Sequence, residues 1–493
     1  MNKQLKFLSR TVFGMFIVLF FSVTMIQFVS ADQLRDNELN QRSIKNSYKI
    51  ERGSILVEGN PIAFSTPTDD EYRFTRQYAD GPLYAPVTGY FSRRQGMTGL
   101  ENAMNQDLSG LSGAQFFTRM MRTITGEEPQ GSSVETTLSA SAQAATAEAM
   151  SEFKGAAVAF DPASGKILSM VSSPSFDPGL LSSNDDSSVI ANYSTLVDDP
   201  SNPLFNRTIS GDLYHPGSTY KLLVAAAAIE NGTATPDSTL ANPSALLLPG
   251  TSHEIKNNWS GSCGGGVQTT LMQAITMSCN IPIAELAMSM DRDAVPNMAK
   301  AFGFEQDLSI PLSVTPSVSP VPSDEAQVAI SSIGQLDVRA TPLQMAMVSA
   351  GIANDGVVMK PYLVNRVITP DLRTETQFDP TEFATPISKS TAQALQSMME
   401  NGVNAPEGAA SGARIEGARV GGKTGTAENG LDEDGNPLPF TLWFTGYAFM
   451  GEKQVAVAVV IEDGGGEAYG FAGTSSDLPV RVGKQIMEAV LNQ

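Results

Sequence analysis

Apolar and polar positions alternate with different periods along the chain, and the first stretch has no period because it has no polar break. Val12 to Val29, VFGMFIVLFFSVTMIQFV, contains no charged residue. As a helix rising about 1.5 Å per residue, its roughly 18 residues reach about 27 Å, close to the thickness of bilayer hydrocarbon. Lys3, Lys6 and Arg10 precede it, which predicts a cytoplasmic segment 1–10, a transmembrane anchor 11–31 and an extracytoplasmic remainder. A cleaved signal peptide is the rival, since Val29-Ser30-Ala31 offers small residues for cleavage, but the apolar run exceeds the usual signal core. Both readings export everything after Asp32.

The stretch from Asp32 to about Glu128 is polar and mixed, with the turn-rich STPTDDEY and no sustained helical period. It predicts a small irregular α+β unit over 32–133. From Val134 the pattern changes. VETTLSASAQAATAEAMSEF reads as a strand and an Ala-rich helix, and GAAVAFDPASGKILSMVSS as a hairpin turning at Asp161 to Gly165. HPGSTYKLLVAAAAIENG breaks at Pro216-Gly217, stops at Asn231-Gly232 and is apolar on nearly every face between, which predicts a central helix opening at Ser218. ARVGGKTGTA, FTLWFTGYAFM and KQVAVAVVIED predict three successive antiparallel strands, and Val480 to Leu491 an amphipathic helix over the sheet. The second domain is therefore placed at 134–493.

Composition narrows the partners. With 493 residues, 41% hydrophobic and 17% charged, the chain folds around more than one core. A net charge of -20, with no basic cluster beyond the first ten residues, excludes nucleic acid as a partner. The two cysteines, Cys263 and Cys279, fall in an exported segment where a disulfide persists; a bridge and two separate buried thiols are both open on sequence.

Three short motifs carry the chemistry: Ser218-Thr219-Tyr220-Lys221, Ser278-Cys279-Asn280 and Lys423-Thr424-Gly425. Each alone is weak, since SxxK arises by chance in helices and KTG is commonly an exposed turn. In a helix, Ser218 and Lys221 share a face, so the amine reaches the hydroxyl and serves as its base. Apolar walls and a second cation, Lys423, lower the lysine's affinity for its proton. On a strand, Thr424 and Thr426 flank Gly425 and present hydroxyls to a carboxylate, while Gly425 permits close approach. The backbone N–H groups of Ser218 and Thr426 are the candidate oxyanion donors. If Ser278 to Asn280 is an extended loop, both polar side chains face one way, Ser278 to relay a proton and Asn280 to contact a substrate amide.

Other chemistries fit poorly. His215 and His253 are the only histidines, neither in a nucleophile-elbow pattern, and His215 reads as a packing or capping residue. No metal-ligand spacing or phosphate loop occurs, so neither metal nor cofactor is expected. A β-lactamase would need a second base downstream of the middle motif, where Glu325 reads instead as a charge at a helix start after Ser323.

The three motifs together are a signature of penicillin-binding proteins and one class of β-lactamase. With their flanks they resemble the class B penicillin-binding proteins, and most of all the actinobacterial penicillin-binding protein A group. The resemblance runs through NQR (Asn40–Arg42), RGSI (Arg52–Ile55), VTGYFS (Val87–Ser92), TGLE (Thr98–Glu101), FDPASGKILSMVSSPSFDP (Phe160–Pro178), FNRTISGDLYHPGSTYKLL (Phe205–Leu223), ATPLQMAMVSAGIANDGVVMKPYLV (Ala340–Val364) and GGKTGTA (Gly421–Ala427). IGQLDV at 333–338 stands where relatives carry a more Gly-rich stretch.

The resemblance implies an α+β chain: a serine acyltransferase (penicillin-binding/β-lactamase-like) fold with a five-stranded antiparallel sheet flanked by helices, preceded by the anchor and a noncatalytic pedestal. It implies D,D-transpeptidation of peptidoglycan stem peptides with release of D-Ala and covalent inhibition by β-lactam antibiotics. Ser218 becomes nucleophile, Lys221 base, Ser278 proton relay, Asn280 an amide contact, and Lys423, Thr424 and Thr426 the carboxylate-binding strand. D,D-carboxypeptidase, β-lactamase and β-lactam receptor are the alternatives. A membrane glycosyltransferase or other division or elongation protein is the partner implied at the anchor.

Overall fold

A computed structural model describes residues 2–30, 49–70, 72–113, 130–211, 213–257 and 261–493. The fragment Asn40–Arg42 and the Asp32 and Glu128 boundaries lie outside these residues. The apolar run forms helix α1 (Asn2–Thr24), continued by one π turn, Met25–Val29. Lys3–Gln27 is long and apolar enough to cross a membrane. Its large apolar side chains from Leu5 to Ile26 are exposed, as a surface without a protein core against it must be.

Two sheets follow. Strands β1 (Ile55–Val57), β2 (Asn60–Pro67) and β3 (Phe74–Tyr78) precede β4 (Ser133–Thr136), which pairs parallel with β1 in the register Ile55 to Val134. Helix α2 (Ala140–Met150) is capped by the Ser139 side chain, and β5 (Gly155–Phe160) and β6 (Ile167–Ser173) form the hairpin. A 3-10 turn, Gly217–Tyr220, leads into α3 (Lys221–Glu230). Then come α4 (Leu271–Thr276), α5 (Ile281–Met288) and α6 (Pro342–Ala353). Strands β7 (Val364–Ile368) and β8 (Thr374–Gln377), helix α7 (Lys389–Asn404), strands β9 (Arg419–Ala427), β10 (Thr441–Met450) and β11 (Lys453–Ile461), and helix α8 (Leu478–Leu491) complete the frame.

The N-terminal sheet has six strands in the order β8-β7-β4-β1-β2-β3. Its strands β7 and β8 come from beyond residue 360, so the N-terminal unit is completed by a hairpin from the C-terminal stretch. The catalytic-side sheet is five-stranded and antiparallel, ordered β9-β10-β11-β5-β6. Its central strands β10, β11 and β5 are largely apolar on both faces and feed two cores by parity. Ala156, Val158, Trp443, Tyr447, Ala458 and Val460 pack with α3 and α6, while Ala157, Ala159, Phe444, Val457 and Val459 pack with α2 and α8. A strand's period of two explains the split.

Helix placement follows residue chemistry. Every residue of α6 and all of α3 from Lys221 to Ala228 are buried, as expected of helices without a polar face. Helix α8 instead buries Val482, Ile486, Met487 and Val490 at spacings of three and four. Strand β9 is left at the sheet edge, free on one side to meet the start of α3.

Candidate active site

All three motifs meet at one cleft of about 1770 Å³, walled by Ser218, Ser278, Asn280, Thr424 and Thr426 among others. Ser218 lies in the 3-10 turn rather than in an α-helix that opens on it, and α3 starts only at Lys221. Residues three apart eclipse in a 3-10 turn, so Ser218 and Lys221 still share a face. Gly217 makes the turn possible. It has φ +53°, and a Cβ there would meet Thr426 O at 2.5 Å and Thr426 N at 3.2 Å. A Cβ on Gly334 would likewise strike Gly217 O at 2.1 Å. The backbone before Ser218 is thus pressed against β9, which brings the Ser218 and Thr426 segments side by side.

Beneath the cleft sit two lysines. Lys221 is fully buried and Lys423 is 2% exposed. Lys221 Nζ donates to Ser278 O at 2.8 Å and Asn280 Oδ1 at 2.6 Å; Lys423 Nζ donates to Ser278 Oγ at 2.6 Å and Thr424 O at 2.9 Å. Burial, then the charge of Lys423, holds Lys221 well below the usual lysine range. Burial alone lowers Lys423 to about 7. Among the described residues no carboxylate offsets either lysine. A neutral amine has two hydrogens and one lone pair. In that form Lys221 would have both hydrogens taken by Ser278 O and Asn280 Oδ1 and its lone pair left to accept a proton.

The middle motif corrects the extended-loop expectation. Ser278 has φ +64° and Asn280 lies in the helical region as the residue before α5, so the motif is a left-handed turn between α4 and α5. The turn still aims both side chains at the lysines. Cys279, between them, is fully buried and bonded to Cys263, with Cα atoms 5.8 Å apart. Asn280 is fixed further by Asn257 Oδ1, which accepts from its backbone N–H at 2.9 Å, and by Lys256 O, which accepts from its Nδ2 at 2.8 Å.

Strand β9 places Thr424 and Thr426 on the cleft wall, and Gly425 against the turn, where a Cβ would meet Pro216 O at 2.8 Å. Thr426 Oγ1 donates to Ser475 Oγ at 2.9 Å. Asn257 and Ser475 were not singled out from sequence, because neither lies in a motif and each reaches the site only through tertiary folding. Gln335 and Leu336, of the stretch that departs from the Gly-rich pattern, line the cleft, with Leu336 at φ +63°. Glu325 opens a short helix capped by Asp324, not Ser323, and is absent from the cleft wall. His215 accepts from Arg339 Nη1 and its backbone carbonyl receives Trp443 Nε1–H at 2.9 Å, a packing role.

The chain is similar to known proteins along its whole length. Residues 155–488 match the penicillin binding protein transpeptidase domain, and residues 52–134 the penicillin binding protein A dimerisation domain. The sequence is 37% identical over 499 residues, covering 100% of both chains, to the peptidoglycan D,D-transpeptidase PbpA of Mycolicibacterium smegmatis. It is 37% identical to PbpA of Mycobacterium tuberculosis, covering 100% of this chain and 99% of that one. The structure of penicillin-binding protein A from M. tuberculosis as a ceftriaxone acyl-enzyme superposes with a TM-score of 0.85 at 36% identity, covering 90% of this chain and 99% of that one. Its penicillin G acyl-enzyme gives 0.83 at 36% identity, with 90% and 100% covered.

Proposed function

The chain belongs to the penicillin-binding protein transpeptidase family, and from that premise we propose that it cross-links peptidoglycan stem peptides through an acyl-enzyme on Ser218. The observation that carries the assignment of Ser218 is the pair of buried, carboxylate-free lysines hydrogen-bonded through Ser278 beside it. Ser218 Oγ attacks the carbonyl carbon of the D-Ala-D-Ala bond while its proton passes to the Lys221 lone pair. The oxyanion is stabilised by the N–H groups of Ser218 and Thr426, each such donor being worth roughly 3 kcal/mol in other acyl-transfer enzymes. Collapse breaks the C–N bond, and Ser278, held by Lys423, passes its hydroxyl proton to the departing D-Ala amine and takes in return the proton that Lys221 received from Ser218.

Thr424, Thr426 and Lys423 hold the terminal carboxylate before it leaves, and Asn280, which also orients Lys221, contacts a substrate amide. An acceptor amine then attacks the ester and regenerates Ser218. β-Lactams, which are cyclic amides, acylate the same oxygen. The chain divides into the anchor 11–31, a pedestal 32–133 and the transpeptidase domain 134–493, with β7 and β8 lent to the pedestal sheet. Lys3, Lys6 and Arg10 hold the N-terminus on the cytoplasmic side, and α1 meets a membrane glycosyltransferase of division or elongation.

The full chain in detergent, exposed to fluorescent penicillin, is expected to carry a label for hours that Ser218→Ala abolishes. Rapid release of the label would indicate a β-lactamase, and absence of label on folded protein would remove Ser218 from the mechanism. A synthetic stem peptide with and without an acceptor amine separates the transpeptidase from the D,D-carboxypeptidase, which transfers only to water.

A further inference from the structure

A second pocket, of about 640 Å³, opens where β9 ends, β10 begins and β11 ends, and none of its lining residues is among those walling the cleft. Lys154, Arg207, Tyr214, His215, Arg339 and Glu462 give it its chemistry. In a chain of net charge -20, the described residues of this wall include three cations and one carboxylate. Glu462 is already engaged: Lys154 Nζ lies 2.9 Å from one oxygen, and Arg207 Nε and Tyr214 OH lie 3.1 and 2.6 Å from the other.

Arg339 is left over. Its Nη1 is spent on Leu336 O, Val338 O and His215 Nδ1; Asp337 acts on its charge, yet among the described residues no carboxylate comes within ion-pair distance of it. Its guanidinium is partly buried, and burial followed by the charge of Arg339 lowers His215, so the imidazole adds no charge. His215 Nδ1 lies 2.5 Å from Arg339 Nη1 and 3.1 Å from Val338 O, which ties the ring to Arg339 on the same wall. The pocket is also close to the chemistry. His215 is three residues before Ser218 and Asn429 three after Thr426, so at 3.8 Å per step each wall is within about 11 Å, Cα to Cα, of a cleft residue.

We propose that this pocket is the anion subsite of the second substrate: Arg339, with His215, binds a carboxylate of the acceptor peptide whose amine attacks the Ser218 ester. The assignment rests on the transpeptidase reading, and its test separates the two. Full-length protein is acylated by a thioester donor and offered two amine acceptors that differ only in bearing a carboxylate or its amide. The ratio of aminolysis to hydrolysis of the acyl-enzyme is then measured, a quantity independent of how much acyl-enzyme forms.

The carboxylate acceptor is expected to exceed its amide on the order of tenfold, the worth of one charge-assisted hydrogen bond. Arg339→Gln is expected to bring the two acceptors level, and Arg339→Lys to keep part of the preference. Should Arg339→Gln fail to fold, Lys154→Gln on the opposite wall is expected to narrow the preference without erasing it. Equal use of both acceptors by the wild type, a preference that survives Arg339→Gln, or one that Lys154→Gln leaves undiminished overturns the subsite. A wild-type ratio that responds to inorganic phosphate but not to the acceptor's carboxylate assigns the pocket to a free anion and overturns it too. Failure of the wild type to form any acyl-enzyme counts against the transpeptidase reading instead.

Discussion

Two of the buried-charge clusters among the described residues, one near each large sheet, are built on opposite rules. In the N-terminal unit Arg52 Nε and Arg76 Nε each lie 2.6 Å from an oxygen of Glu101, with side chains no more than 2% exposed. Arg52 also donates to Asn105 Oδ1 at 2.7 Å and stacks 4.4 Å over the Phe91 ring. Burial pushes the Glu101 carboxyl up, but Arg76 and Arg52 outweigh it and hold it below its usual value. In the catalytic cleft Lys221 and Lys423 are as deeply buried, yet they face neutral oxygens and each other. A carboxylate locks a buried cation in its charged form; withholding the carboxylate leaves a lysine able to give up and take back a proton.

The largest test of that contrast removes the unpaired cation. Lys221→Met, which fills the same volume with apolar atoms, is expected to slow acylation by fluorescent penicillin by about 10² to 10⁴, the usual worth of a positioned base. The same variant is expected to lower the urea midpoint, because Ser278 O and Asn280 Oδ1 lose their buried donor. A variant that acylates at the wild-type rate would falsify the role given to Lys221.

Next comes the paired cluster. Glu101→Gln keeps the shape and one oxygen but strands two buried arginines, at an expected cost of about 3–5 kcal/mol in urea unfolding. Protein that remains folded is expected to label with penicillin as the wild type does, since none of the three residues lines the cleft. Loss of labelling with stability intact would mean that the pedestal cluster takes part in the chemistry, and the two-rule comparison would fail.

A pH series sharpens the comparison further. Lys423 titrates at about 7 when folded and at its ordinary 10.5 when unfolded, so between those values the unfolded chain holds a proton that the folded chain lacks. Stability is therefore expected to rise with pH from about 7 toward 10.5, and to fall as the pH is brought back down through that window. Lys423→Met removes its share of the rise. The acid limb of acylation is also expected to move to higher pH in that variant, because the charge that lowers Lys221 is gone. Urea midpoints at pH 7 and pH 10, with the rate profile, check both; a rise undiminished by Lys423→Met would show that the charge sits elsewhere.

The catalytic cluster was far more legible in sequence than the paired one. SxxK and KTG are local patterns, carried on the 3-10 turn that leads into α3 and on β9, so the meeting of the two motifs was legible although the α-helix expected to open at Ser218 begins only at Lys221. The turn at Ser278 was not legible: a left-handed serine has no sequence signal like glycine's, and only α4, α5 and the Cys263 bridge impose it. Arg52 and Glu101 were visible as family fragments but not as a pair, since 49 residues separate them. The addition of β7 and β8 to the N-terminal sheet was equally hidden, because strand pairing across more than two hundred residues leaves no local trace.

The smallest expected effect completes the comparison by supplying water. Lys484 Nζ and Glu488 Oε1 lie 3.8 Å apart one turn along α8, with side chains 35% and 39% exposed. The chemical types match those of the buried clusters, a cation and a carboxylate, and the geometry is favourable enough to count as a pair. Solvent, however, hydrates each partner alone nearly as well as the partner does, and salt screens what remains. Lys484→Gln is therefore expected to change stability by less than about 0.5 kcal/mol, and by less still at 1 M salt, when urea unfolding is followed by circular dichroism. A loss approaching that of Glu101→Gln would mean that pairing, and not exclusion of water, sets the worth of these charges; the low proton affinity argued for Lys221 would then lose its physical ground.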